Sequence, residues 1–263
     1  MAQVLAILDE IAPPSLAEDW DSIGLMIGRL DAEVSGIVVS LDASWEAVAA
    51  ALESGADCLV SHHPALFKPL SVIDLAAPAG QVAAAAIRGG MNLLAAHTNL
   101  DSAIGGVNDV LAELLGIDEV KPLVPITERP GAGLGRVGRL GERLRLATLV
   151  GRVKESLRID RVRVVGRAEM QVRRLAVCSG SGGSLIHAAA AAEAQALLTG
   201  EVGYHDAREA EALGLAVIEA GHYATEAPIV PVLAEKLNAA LTASGFDAAV
   251  RSYTAEQEPF DIY

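Results

Sequence analysis

The chain has 263 residues, of which 52% are hydrophobic and only 3% aromatic, and it carries a formal charge of -14 with a pI near 4.8. A surface this acidic repels phosphate backbones, which argues against sequence-independent binding of nucleic acid, and an anionic substrate would need a local positive centre. No apolar run reaches the roughly 18–20 residues that a membrane span needs, and "MAQVLAILDEIAPP" lacks the basic start of a signal peptide, so a soluble cytoplasmic protein is expected.

In chain order, residues 2–12 read as a helix closed by Pro13 and Pro14, and "EDWDSIGLMIG" (18–28) as a loop entering an apolar segment. "GIVVSLDAS" (36–44) is a short apolar run ending in polar residues, followed by a helix over 45–54. "DCLVSHHPALFKPL" (57–70) is an apolar run stopped by two histidines and Pro64. "AGQVAAAAIRGG" reads as helix, "MNLLAAHTNLD" as strand then loop, and "GGVNDVLAELLG" as a helix closed by Gly116. Residues 120–170 are richer in Arg, Gly and Pro and mark the change to a second subdomain. From "RRLAVCSGSGG" the rhythm returns: "AQALLTGE" strand-loop, "YHDAREAEALG" helix, "LAVIEAGHY" strand-loop, "PIVPVLAEKLNAAL" helix. This alternation, in an alanine- and valine-rich chain, is that of an α/β fold with a mostly parallel sheet. Cys58 and Cys178 sit at the apolar ends of expected strands and read as buried core residues, without a disulfide framework.

The polar clusters all follow apolar runs, at the strand ends where open α/β sheets bind ligands. Four of the six histidines lie there: His62, His63, His97 and His222. Asp101 stands four residues after His97 and Glu226 four after His222, so "HTNLD" and "HYATE" share one layout. Four imidazoles and two carboxylates exceed one tetrahedral zinc with an open position and suit two divalent ions. The absence of sulfur argues against iron–sulfur clusters, and N/O ligation admits Zn, Mn, Fe or Ni. Such a pair of ions would lower the pKa of water and hold an anionic or carbonyl oxygen. His187 reads as a helix residue with a structural role. His205 is a proton donor, an outer partner of the metals or an exposed helix start. Glu201 is a general base or a helix-start charge. Asp42 either orients an imidazole or is a loop acid. "CSGSGGSL" (178–185) is either a phosphate cradle or a tight turn needing positive φ. Trp20 and Asp21 hint at a pocket wall, with packing the alternative for Trp20.

On "WDSIGLMIG", "GADCLVSHHPALF", "AAHTNLDSAIGGVNDVLAELLG", "GLGRVGRL" and "LLTGEVGYHDAREAEALGLAVIEAGHYATE", the chain resembles the Nif-three-like dinuclear-metal-centre family, the GTP cyclohydrolase I type 2 homologues. The resemblance implies two similar α/β subdomains with mostly parallel or mixed sheets flanked by helices, in a short form without the large central insertion. It places them over residues 1–122 and 123–263, interleaved around one metal site. It implies metal ligands at His62, His63, Asp101, His222 and Glu226, with His97 beside them, two divalent ions per subunit, and a homohexameric ring. The implied activity is a metal-dependent hydrolase of the GTP cyclohydrolase type 2 kind, acting on a small anionic or heterocyclic substrate. His97, Glu201 and His205 are then the groups available to move a proton. A phosphoesterase using the same centre, and a metal-binding scaffold or regulatory protein without turnover, are the alternatives.

Overall fold

Helix α1 (Ala2–Ile11) stops where Pro13 and Pro14 restrict the backbone and lack an amide to continue the ladder. Strands β1 (Gly24–Ile27) and β2 (Gly36–Ser40) follow. Helix α2 (Trp45–Glu53) then starts on Ser44, whose hydroxyl accepts the Ala47 amide at 3.1 Å. The chain continues through β3 (Cys58–Ser61), α3 (Pro78–Gly89), β4 (Asn92–Ala95) and the single turn α4 (Thr98–Ser102). Next come α5 (Val107–Leu114), β5 (Ile117–Pro125), β6 (Gly133–Arg145), α6 (Leu146–Leu157), β7 (Arg163–Val165) and β8 (Gln171–Ser181). The order closes with α7 (Ile186–Ala191), β9 (Ala196–Glu201), α8 (Tyr204–Leu213), β10 (Ala216–Glu219), α9 (His222–Glu226), α10 (Ile229–Ala243) and β11 (Ala249–Ser252). This computed structural model describes residues 1–261.

The chain forms two compact units: Met1–Ala103 with Ile229–Gln257, and Ile104–Pro228 with the tail from Glu258. A division by chain order, 1–122 and 123–263, misses the return of the C-terminal segment. β11 pairs in parallel with β2, from Ala249 beside Gly36 to Ser252 beside Val39, which carries this segment into the first unit. Helix α5 belongs to the second unit because Leu111 and Ala112 pack in the core formed there by Leu140, Leu175 and Leu198.

The first unit holds a five-stranded mixed sheet, β1-β4-β3-β2-β11, antiparallel only at β1. β3 and β4 are buried throughout, as strands covered on both faces must be. On one face Val38, Leu59 and Leu93 pack against Ala47, Val48 and Ala51 of α2 and Val82 and Ala86 of α3. Each fully buried Leu or Val contributes on the order of 1.5–3 kcal/mol of apolar transfer. The second unit holds a six-stranded mixed sheet, β5-β6-β8-β9-β10-β7, whose β8, β9 and β10 run parallel. The Arg- and Gly-rich middle of the chain forms the antiparallel β5–β6 pair and α6. Cys58 and Cys178 are buried free thiols, and burial pushes the Cys58 thiol up to about 12.

Candidate metal-binding site

The first unit gathers its polar groups at the carboxyl ends of β2, β3 and β4. β3 ends at Ser61, and the amides of His62 and His63 donate to Ser40 and Leu41 carbonyls of the neighbouring strand at 3.2 and 2.8 Å. The strand-end turn therefore holds both residues of the pair, and His62 is fully buried. Beyond β4, "HTNLD" forms the turn α4 where a loop was expected. Asp21 explains the difference: its carboxylate accepts the Thr98 amide at 3.0 Å and the Thr98 hydroxyl at 2.5 Å, capping the turn from a distant segment. The rings of His62, His63 and His97 then lie with centroids 5.0–5.7 Å apart. Each offers a ligand nitrogen within 4.8 Å of the others, a spacing that can hold a metal ion. Asp101 Oδ1 is 3.8 Å from His62 Nε2.

All three rings are tied through Nδ1. His62 Nδ1 donates to the Ala96 carbonyl at 2.9 Å, His63 Nδ1 to Asp42 at 2.8 Å and His97 Nδ1 to Asp21 at 2.8 Å. A carbonyl or a carboxylate only accepts, so the proton sits on Nδ1 and Nε2 carries the lone pair. That is the arrangement by which carboxylates and carbonyls orient metal-ligating histidines. Burial and the neighbouring His62 hold His97 below its ordinary value, against the raising effect of Asp21, which favours the neutral ring. For Asp21 burial opposes ionisation, but hydrogen bonds from His97 and Thr98 outweigh it and keep the carboxyl below its ordinary range. Asp42 is itself held: Glu256 accepts the Leu41 amide at 2.9 Å and the Asp42 amide at 2.8 Å. Burial raises the Glu256 carboxyl despite those two amides. Two exposed aromatics adjoin the cluster. Trp20 and Phe67 lie 5.8 Å apart, and each is 6.3 Å from the His97 ring.

The second unit repeats the layout at the ends of β8, β9 and β10. The turn α9 places His222 and Glu226 on one face, i to i+4, with Nε2 3.0 Å from the carboxylate. Glu201, at the end of β9, stands 3.3 Å from His222 Nδ1, the place that Asp21 and Asp42 take at their imidazoles. The glycines of "CSGSGGSL" serve this cluster. Gly180 has φ +57°, and a Cβ there would collide with Glu226 Oε1. A Cβ on Gly200 would lie 2.9 Å from His222 Cα and 2.8 Å from the Thr225 hydroxyl. Asp206 crowds Gly183 in the same way. A phosphate in this loop would meet carboxylates, so the tight-turn alternative holds and the phosphate cradle does not.

His205 sits exposed on the first turn of α8 with its ring against Tyr204 at 5.3 Å, and it joins none of the metal-capable groups among the described residues. His187 is also exposed and pairs with Glu209 at 2.7 Å, a structural contact as expected for a helix residue. The orienting roles of Asp21 and Glu256 were not read from the sequence. Asp21 had a signal in its place beside Trp20. Glu256 had none, since it acts on residues 215 and 214 positions away.

Comparison with known proteins agrees with this architecture. A Streptomyces coelicolor protein named "GTP cyclohydrolase 1 type 2 homolog" is 36% identical over 100% of this chain and 94% of its own length. A Clostridium acetobutylicum protein of the same name is 35% identical over 93% of this chain and 91% of its own. The crystal structure of a Staphylococcus aureus hypothetical protein superposes with a TM-score of 0.93 at 27% identity, covering 100% of this chain and 98% of the other. The model of the family described as Duf34/NIF3 (NGG1p interacting factor 3) matches residues 1–259. With that match over nearly its whole length, the chain belongs to the Duf34/NIF3 family.

Proposed function

We propose that this protein is a metal-dependent hydrolase with a dinuclear divalent centre, acting on a small anionic or heterocyclic substrate. The ligands are His62, His63, Asp101, His222 and Glu226, with His97 beside them. The observation that carries this reading is the common tethering of His62, His63 and His97 through Nδ1, which leaves three Nε2 lone pairs as donors. Hard carboxylate and imidazole donors without sulfur fit Zn, Mn, Fe or Ni. When bound, two such ions supply Lewis acidity and make water acidic enough to react near neutral pH.

The chain's own residues supply the rest. Asp21, Asp42 and Glu201 keep the imidazoles in one orientation. Trp20 and Phe67 present exposed ring faces beside His97, which supports a planar heterocycle as substrate. His97 and Glu201, which stand at the imidazoles, are the groups proposed to move a proton, and His205, exposed on α8 outside the metal-capable groups, is the less favoured third. The relatives' name, "GTP cyclohydrolase 1 type 2 homolog", supports ring opening of a purine nucleotide, and phosphoester hydrolysis is open to the same donors. The reading includes a homohexamer in the cytoplasm, on the family resemblance. A second reading, a metal-binding scaffold without turnover, is favoured by the family's description as an interacting factor.

Elemental analysis followed by turnover assays tests both. Protein loaded with each candidate metal is expected to hold two ions per chain and to turn over GTP or a phosphoester. His63→Ala and Glu226→Ala are expected to lose metal and about 100-fold or more in kcat/KM. Turnover unchanged in both variants would remove the metals from the mechanism. Firm metal retention with no turnover on any nucleotide or phosphoester would select the scaffold.

A further inference from the structure

Against a net charge of -14, four arginines converge on one cavity of about 450 Å³ in the second unit. Arg139 and Arg143 reach it from β6, and Arg173 and Arg174 from the amino end of β8. Gln171, Gln195 and Glu193 complete the lining, so the wall has no aromatic or aliphatic member and a single carboxylate. The cavity opens at the amino ends of β8 and β9, the opposite edge of this sheet from Gly180, Glu201 and His222.

The placement of the arginines works against stability unless an anion joins them. Arg139 and Arg174 are direct partners across the antiparallel β6–β8 ladder, where like charges repel at close range. Successive strand residues diverge to opposite faces, yet Arg173 and Arg174 line the same cavity. The register slips beside them, between Arg139 and Leu144. Gln195 Oε1 accepts both amides, at 3.0 Å from Arg173 and 2.8 Å from Arg174, and so locks the irregular segment. Existing partners neutralise little. Arg139 meets Glu119 at 3.5 Å on the exposed surface, a pair of small value. Arg173 donates to the Gly141 carbonyl at 2.5 Å. The buried Nε of Arg174 makes no hydrogen bond among the described residues.

We propose that this arginine cavity is a binding site for a compact polyanion bearing adjacent phosphate groups, of the inorganic pyrophosphate class. Guanidinium forks bind phosphate oxygens in pairs, and two linked phosphates match an arginine pair set directly across a ladder. The lack of any ring or aliphatic wall leaves a nucleobase nothing to stack on.

Isothermal titration with inorganic pyrophosphate, on the full chain with its native metal content, tests the site. Arg139→Gln and Arg174→Gln are each expected to weaken binding at least tenfold, with Arg143→Gln as a third, exposed substitution. His63→Ala is expected to keep the arginine-dependent component of the heat, which separates this cavity from the proposed metal centre. Without pyrophosphate, the thermal midpoint of Arg174→Gln is expected to equal or exceed the parent's, because the cross-strand repulsion is gone. Parent-like affinity in all three arginine variants overturns the proposal. So does binding lost only in His63→Ala, or equal heat from sulfate at matched ionic strength.

Discussion

Asp21 accepts hydrogen bonds from the His97 ring, the Thr98 amide and the Thr98 hydroxyl, so one carboxylate both orients an imidazole and starts the turn that bears Asp101. Asn in its place keeps an acceptor but loses the charge that favours Nδ1–H on His97. For Asp21→Asn we expect metal affinity to fall about 10–100-fold, read by competition with a chromogenic chelator. Affinity equal to the parent's would show that His97 orientation does not govern the site. The histidines and the His-x3-acid spacing were legible as a candidate metal signature because ligand chemistry restricts the residue types, and the structure brings His62, His63 and His97 within ligand spacing of one another. Of their orienting partners, Asp42 was readable as one of two alternatives, whereas the roles of Asp21 and Glu256 were not, because the groups they hold lie 76 and 215 positions away.

At the scale of elements, α4 and α9 do the same work in the two units: each is a single turn after a parallel strand, with an acid at its far end. A loop was expected at "HTNLD" because five residues carry too little periodicity to read as a helix, and its cap lies 77 positions away. Helix α5 shows a further device. Asn108 accepts the Ser179 amide at 2.9 Å, and Asp109 forms an ion pair with the fully buried Arg136, whose other nitrogen donates to the Gly133 and Gly135 carbonyls at 2.6 and 2.9 Å. Truncation to Arg136→Ala breaks the ion pair of Asp109, which keeps only the Gly105 amide among the described residues, and removes the donor to both carbonyls, so it is expected to cost about 3–5 kcal/mol. Urea denaturation measures it, and a loss below about 1 kcal/mol would show that the pair is solvated. Nothing in "GLGRVGRL" announced this role, since an arginine is ordinarily a surface residue.

For the molecule as a whole, bound metal that favours the native state must raise its stability, by about 2.7 kcal/mol at a free concentration 100 times Kd. Stripping it with a chelator should therefore lower Tm by roughly 5–10 °C, followed by differential scanning calorimetry with elemental analysis of the stripped protein. An unchanged Tm in verified metal-free protein would mean that the ligands do not bind a stabilising ion. The sequence alone determined the α/β class, the buried free cysteines, the strand-end location of the chemistry and the family, because periodicity, turn residues and ligand types are local and survive without coordinates. Only the tertiary structure decided that the C-terminal segment joins the first sheet through β11, that carboxylates fill the glycine loop, and that four arginines share one cavity. Each of these depends on which distant backbones lie side by side, and strand order and register are set by packing across the whole core, which no short stretch of chain encodes.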